Sequence, residues 1–456
     1  MLDLESARQR LAAHGQEHVL RWYDQLDSKG RSSLLAQIER LDLNGVERAL
    51  ATPFEKVDGR DLSPYLDVIE PHHEAWDQSW TLGEKALRAG RVGTILVAGG
   101  QGTRLGFAGP KGAFPLGAVS GRTLYQIHVE RLVALGRRYG VVPPLYVMTS
   151  EANHDATAAL FAAHDNYGLP EERLIIFRQG LAPAVDETGK LLLDAPDHIV
   201  MSPNGNGGLF RALSECGALA HMEQMGVDTI SYIQVDNPLA LSCDPRFVGY
   251  HLLCRSEFSC KAIQKLGPDE KVGNYARVKG HLRIVEYTDI PVSLAEKTDA
   301  KGELLFRFSN PGLYIWSREF AARQAGREDL PFHKAHKKIP HLDETGNLVQ
   351  PTAPCGYKLE AFAMDTLPDA ERSVVLSSDR HIEFAPVKNA SGPDSPDSAR
   401  ALMNRLYASW IIQAGGRILH REVQIEISAL YALDAEELAE KLSPGYQVRG
   451  DLYLFK

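Results

Sequence analysis

No apolar stretch in this chain is long enough to span a bilayer, and its opening, MLDLESARQRL, carries acids where a secretory signal would need an apolar run. Both absences lead to the expectation of a cytoplasmic chain with no membrane partner. Cysteine is scarce: Cys216, Cys243, Cys254, Cys260 and Cys355 are the only five. Their odd number and the lack of any C-x-x-C spacing point to free thiols in a reducing compartment. An excess of positive charge is also missing. The net charge of −9 argues against a nucleic-acid backbone as the main partner. It leaves small anions open, because local cations decide phosphate binding. Internal repeats and low-complexity tracts are absent as well. What is present is 456 residues with 44% apolar and 24% charged content. That is ordinary globular composition, at a length that implies two or three domains.

Two nucleotide motifs are absent in near-miss form. The stretch Leu96–Gly112 reads LVAGGQGTRLGFAGPKG. A dinucleotide fingerprint needs a third Gly or Ala after G-x-G, and here Gly100 and Gly102 are followed by Leu105 at that place. A Walker A loop needs Gly before its Lys and Ser or Thr after it, but Lys111 sits between Pro110 and Gly112. What remains is an apolar run, Thr94–Val97, opening into G-G-x-G-T-R-L-G and a Pro-Lys step. Gly99, Gly100 and Gly102 lack Cβ, so their backbone can lie against phosphates of a nucleotide. Arg104 supplies a planar fork of donors for phosphate oxygens, and Lys111 a second cation close by.

Along the chain, Leu4, Leu11, Val19, Trp22 and Leu26 recur at helical spacing, as do Leu34, Leu35, Ile38 and Leu41. Pro53, Pro64 and Pro71 interrupt this N-terminal segment. From Val92 onward apolar strands are predicted at 94–98, 145–149, 174–177 and 230–235. Helices separate them, among them 125–136 and 208–225. The glycine loop, Gln179 and Asp236 each follow a strand at its carboxyl end, where such sheets bind ligands. Shorter strands at 273–279, 282–287, 304–308 and 313–316 read as antiparallel. A loop at 389–398 precedes a helix from Pro396 to about Ala414. The tail mixes strands at 423–427 and 452–455 with a helix at 435–441. The expected domains are residues 1–90 (helical), 91–400 (catalytic) and 401–456 (a small C-terminal α+β domain).

The glycine segment resembles the signature of nucleotidyltransferases that build nucleoside-diphosphate sugars. It is most similar to the UDP-sugar pyrophosphorylases of the UDP-N-acetylglucosamine pyrophosphorylase type. The resemblance runs from about Val92 to Met403 and takes in SPNGNGG, DPRFVGY, KKIPHLD, YKLEAFAMD and FAPVKNA. It implies an α/β fold with a Rossmann-like mixed sheet of the GT-A-like type. The implied reaction joins UTP and a sugar-1-phosphate into a UDP-sugar and releases pyrophosphate, in a monomer or homodimer. Arg104, Lys111 and Lys388 become the catalytic cations. Leu96, Ala98, Gly99, Gly100, Gly102, Thr103, Gln179, Gly205 and Asn206 become the nucleotide set. Asn206, Gly273, Glu286, Asn310 and Phe362 would line the sugar. Asp236, ending the strand of YIQVDN, would hold Mg2+ or Mn2+.

This assignment suits the chemistry. A phosphate monoester is largely ionised at pH 7, its second pKa being about 6, so the nucleophile needs no general base. Accordingly the sequence shows no Ser-His-Asp or Cys-His arrangement. The difficulty is bringing two polyanions together, which calls for cations and positioning. Gln179 carries the donor and the acceptor that a pyrimidine edge requires. His333, His336 and His341 read as a solvated basic segment, and His72-His73 as loop. In two places the chain departs from the family pattern. Asn204 stands where Asp is usual, and Met364 stands where a second aromatic accompanies Phe362. The latter leaves the acceptor open between N-acetylglucosamine-1-phosphate, which the resemblance favours, and glucose-1-phosphate or galactose-1-phosphate. A glycosyltransferase using a finished UDP-sugar is disfavoured, because D-x-D is absent and the Arg104–Lys111 spacing suits a triphosphate. A non-catalytic UDP-sugar binder would not need the three cations.

Overall fold

The computed structural model describes residues 2–51, 58–327 and 332–455. Pro53 lies outside them. The chain forms two compact units. The first comprises residues 1–56, 179–212 and 326–366, and the second residues 57–178, 213–325 and 367–456. These units cut across the three segments expected from the sequence.

The second unit is built on a twelve-stranded sheet. Its strands are β1 (Leu62–Pro64), β2 (Val68–Ile69), β3 (Val92–Val97), β4 (Leu145–Thr149), β5 (Leu174–Arg178), β6 (Thr229–Gln234), β7 (Phe258–Gln264), β8 (Asn274–Val278), β9 (His281–Val285), β10 (Phe308–Ser309), β11 (Tyr314–Ser317) and β12 (Ser373–Ser377). The order is β1-β8-β10-β7-β11-β6-β3-β4-β5; β9 adds to β8, and β12 joins β7 and β2. β5, β4, β3 and β6 run parallel. β3 and β4 are buried almost throughout, as strands covered on both faces must be. From β6 toward β1 the path along the sheet turns antiparallel.

The topology places the site. The chain moves from β3 out to β4 and β5, then returns to add β6 on the opposite side of β3. The boundary between β3 and β6 is therefore the switch point, where ligands of such sheets bind. Val97 pairs with Gln234 across that boundary, so both strands end level.

The predicted strands at 94–98, 145–149, 174–177 and 230–235 are all present within a residue or two. The helices Pro396–Gln413 and Ala435–Lys441 are likewise close to expectation, and Leu124–Tyr139 runs three residues past the expected end. The helix expected over 208–225 is instead two, Leu209–Glu215 and Ala218–Gln224, because Gly217 adopts a left-handed φ of 79°. The strand expected at 304–308 is only Phe308–Ser309, and that at 282–287 stops at Val285 before a 3-10 turn. The tail does not keep a core of its own. Val423, Ile425, Ile427, Leu438 and Val448 belong to the same buried cluster as Val129, Leu132 and Leu135. Buried Arg122 pairs with both Glu130 and Glu426 and anchors the tail further.

The first unit gathers the helices Leu4–Ala12, Ser28–Arg40 and Leu43–Ala51 with short antiparallel ribbons. Asp3 and Asp27 cap the first two helices through the amides of Ser6 and Gly30. Ala7, Leu11, Leu34 and Ile38 pack with Val185, Leu193, Ile199 and Leu359 into one core. Trp22 and Leu26, expected on an α-helix, border 3-10 turns instead. His333–Lys337 is a strand, half-buried at its start, where a solvated segment was expected.

Candidate active site

At the switch point, the loop after β3 is fixed through its backbone. Asn153 donates its side-chain amide to the carbonyls of Ala98 (2.8 Å) and Gly100 (3.2 Å). The amide of Lys111 donates to the same Gly100 carbonyl at 3.0 Å, which folds the Pro-Lys step back over the glycines. Gly112 lies flat on the Tyr125 ring, where a Cβ would come within 2.2 Å. A Cβ on Gly100 would meet only the Lys111 side chain, at 3.8 Å. Packing therefore demands the first glycine, whereas the second leaves bare backbone beside the lysine, as a phosphate cradle requires. Thr103 opens the 3-10 turn that carries exposed Arg104. The Leu96 and Ala98 side chains lie in the core cluster, so only their backbone could serve a nucleotide.

Lys111 Nζ stands 3.3 Å from Asp236 Oδ2, and the two side chains are 17% and 15% exposed. The residue expected to meet phosphate and the one expected to hold a metal thus share one spot. Behind them, buried His128 uses Nε2 to reach the carbonyl of Val235 at 3.1 Å. Burial lowers its pKa to about 4, so the neutral ring donates to that carbonyl. Lys388 arrives from far along the chain. Asn237 donates to the Glu383 carbonyl (2.7 Å) and accepts from the Ala385 amide (3.0 Å). The Val387 amide donates to the Asp236 carbonyl at 2.8 Å. These bonds hold the segment ending in exposed Lys388 against the Asp236 turn. The same segment is anchored below by buried Lys261, which bonds Asp244 (2.7 Å) and Glu383 (2.5 Å). Burial opposes the Lys261 charge, but the two carboxylates outweigh it and its pKa is raised.

Among the described residues no group of three or more His, Cys, Asp or Glu could hold a metal. A single partly buried carboxylate at a phosphate cradle still fits Mg2+, which takes one or two carboxylates and completes its shell with water and substrate phosphates.

The expected sugar residues of this unit also converge. The Asn310 amide donates to the Gly273 carbonyl at 2.8 Å. A Cβ on Gly273 would lie 3.8 Å from Glu286 Oε1 and 3.9 Å from Asn310 Cβ. Asn310 is oriented by Tyr275 Oη and the Gly312 amide on its oxygen, and by Tyr314 Oη on its nitrogen. Gly312 in turn packs on Gln234 at the end of β6.

In the first unit, the ribbon Leu181–Pro183 with Met201–Pro203 brings the two ends of the other loop together. The Asn204 amide N–H donates to Gly180 O at 3.2 Å. Gln179, half-buried, thereby neighbours Gly205 and Asn206. With its side-chain nitrogen assigned toward the carbonyls, Asn204 also donates to Gly180 O (2.8 Å) and Gly205 O (3.3 Å), which an Asp could not do. The segment after Gly356–Glu360 completes the group. The Ala361 amide donates to Asn204 O, the Gly207 amide donates to Ala361 O, and the Ala363 amide donates to Asn206 Oδ1 at 2.9 Å. Phe362 is held within this frame.

Each unit therefore assembles its own share of the expected residues. The sequence reading missed Asn153, His128 and Asn237, the positioning groups. Only Asn237 carried a hint, as the neighbour of Asp236. Among the described residues no helix is long and apolar enough to cross a membrane, and all five cysteines are free.

A glycine-rich loop, a paired Lys and Asp and a second lysine meet at the switch point of a mixed α/β sheet, an arrangement suited to nucleoside phosphates. The family model described as UTP--glucose-1-phosphate uridylyltransferase matches residues 54–436. The chain is 34% identical over 462 aligned residues to UDP-N-acetylglucosamine diphosphorylase 2 of Arabidopsis thaliana, covering 94% of this chain and 90% of that one. It is 33% identical to UDP-N-acetylglucosamine pyrophosphorylase of Saccharomyces cerevisiae, covering 96% and 97%. The crystal structure of the uridine diphosphate N-acetylglucosamine pyrophosphorylase from Trypanosoma brucei superposes with a TM-score of 0.82 at 27% identity, covering 98% of each chain. The chain belongs to this uridylyltransferase family, whose reaction is nucleotidyl transfer.

Proposed function

We propose that this protein is a UTP:N-acetylglucosamine-1-phosphate uridylyltransferase with a GT-A-like core. A phosphate oxygen of the sugar-1-phosphate attacks the α-phosphorus of UTP. The bond from that phosphorus to the bridging oxygen of the β-phosphate breaks, and pyrophosphate leaves. The observation that carries the reading is the Lys111–Asp236 pair at 3.3 Å beside the bare Gly100 backbone. Lys111 and Arg104 bind the triphosphate, and Lys388 counters the charge of the transferring group. Asp236 would hold Mg2+ or Mn2+, which when bound neutralises phosphate charge. Gln179, Gly205 and Asn206 read the uracil. Gly273, Glu286, Asn310 and Phe362 receive the sugar. The names of the relatives support the N-acetyl acceptor. The adaptable Met364 favours some use of glucose-1-phosphate or galactose-1-phosphate as well. The five free thiols suit a reducing, cytoplasmic setting. The protein acts as a monomer or homodimer.

The test is pyrophosphate release from UTP with a panel of sugar-1-phosphates, and with the other nucleoside triphosphates as controls. N-acetylglucosamine-1-phosphate with UTP should give the highest kcat/KM. Release of UDP from a finished UDP-sugar, or binding without turnover across the panel, would reject the reading.

A further inference from the structure

His333 has no role in the reading above. It opens the strand His333–Lys337, which pairs antiparallel with Gly356–Glu360, so that His333 faces Glu360. Its imidazole lies against the Phe362 ring with centroids 4.8 Å apart and planes at 50°. Its Nε2 is 2.9 Å from Asp365 Oδ2. That same oxygen accepts the Phe362 backbone amide at 3.1 Å. One carboxylate, 16% exposed, thus ties the imidazole to the backbone of the aromatic residue it touches. The next amide along, that of Ala363, is bound to the Asn206 side chain. Ring, imidazole, carboxylate and Asn206 form one connected frame.

We propose that His333 is a specificity-determining positioning residue. With Asp365, it fixes the plane of Phe362 so that the ring presents a face to the acylamino group of the sugar phosphate. The inference rests on the reading that Phe362 meets the sugar. A phenyl ring backed on one side by a second flat ring in a tilted arrangement is held by dispersion and quadrupole attraction. A flexible thioether such as Met364 constrains a neighbouring ring less. The imidazole is rigid, and its hydrogen bond to Asp365 sets its own orientation.

The experiment is steady-state kinetics on the full chain with UTP and two acceptors, N-acetylglucosamine-1-phosphate and glucose-1-phosphate. His333→Ala should raise KM for the N-acetylated acceptor by about fivefold to tenfold. Its preference over glucose-1-phosphate should fall by the same factor, with KM for UTP unchanged and kcat within about twofold. His333→Gln keeps a donor for Asp365 without the ring and should recover part of the loss. It also decides the matter if the alanine variant folds poorly. Equal losses with both acceptors, or a UTP KM that rises in step, would overturn the proposal. An unsubstituted protein that released no pyrophosphate with any sugar-1-phosphate would instead overturn the reaction, a failure seen before any variant is compared.

Discussion

The glycine-loop region of the second unit and the loop cluster of the first hold their candidate site residues by different means. In the second unit, Asp236 stands two residues past β6 and Lys111 on the loop after β3, tied to Gly100 by its amide; β3 and β6 are six-residue parallel strands in register, both buried along almost their whole length. In the first, Asn206 and Phe362 stand just past ribbons of three to five residues, and Gln179 lies between the end of β5 and the ribbon Leu181–Pro183. There the holding is done by single side-chain and amide bonds. A long buried sheet sets charges where they must not shift as negative charge moves during transfer. Short stitched ribbons set shape, so under the proposed function a change at one stitch should alter which base or sugar fits.

That contrast orders the expected effects. Removing a charge at the carboxyl end of the central strands should act mainly on turnover. Asp236→Ala should abolish the response of activity to Mg2+, read as a flat rate across a metal series. Lys111→Ala should lower kcat by about 10²–10³. A Lys111 variant with near-normal turnover would break the comparison at its strongest point. Acid should attack the same region. Burial depresses the pKa of His128 from 6.5 to about 4. The unfolded chain therefore binds the proton first. The stability due to the neutral ring is complete above pH 6.5 and is lost as pH falls toward 4. The loss is about 3 kcal/mol, read by denaturant unfolding at stepped pH. Unfolding stability that stayed flat over this range would mean the ring is solvated. A smaller effect sharpens the contrast. Asn237→Leu leaves the Glu383 carbonyl and the Ala385 amide unpaired, at a cost of about 2 kcal/mol. It should also lower kcat about tenfold by loosening the segment that carries Lys388, with UTP specificity intact.

How much of this was legible beforehand followed the range of the contacts. The strands ending at Val97, Thr149, Arg178 and Gln234 announce themselves through apolar runs closed by turn residues. The glycine loop is told from its commoner relatives by Leu105 and Pro110. The helix beginning at Pro396 is marked by Ser395, whose side chain caps it in a reciprocal pair with Ser398. What could not be read is what distant segments do for one another. Asn237 bonds a partner 146 positions away, and Asn153 grips the glycine loop across 53 and 55. Their side chains carry no local signal of either task. The basic character of His333–Lys337 suggested solvent, yet pairing with Gly356–Glu360 makes it a strand. The tail read as a separate piece because its strands are short, but its apolar residues fill the large core.

The division of labour itself is best tested by measuring kcat/KM for UTP and for CTP in Gln179→Ala and Lys111→Ala side by side. The account predicts that the glutamine variant loses most of its discrimination between the two nucleotides while retaining substantial turnover. The lysine variant should lose turnover with both and keep the discrimination. Equal loss of discrimination in both variants, or none in the glutamine variant, would contradict it.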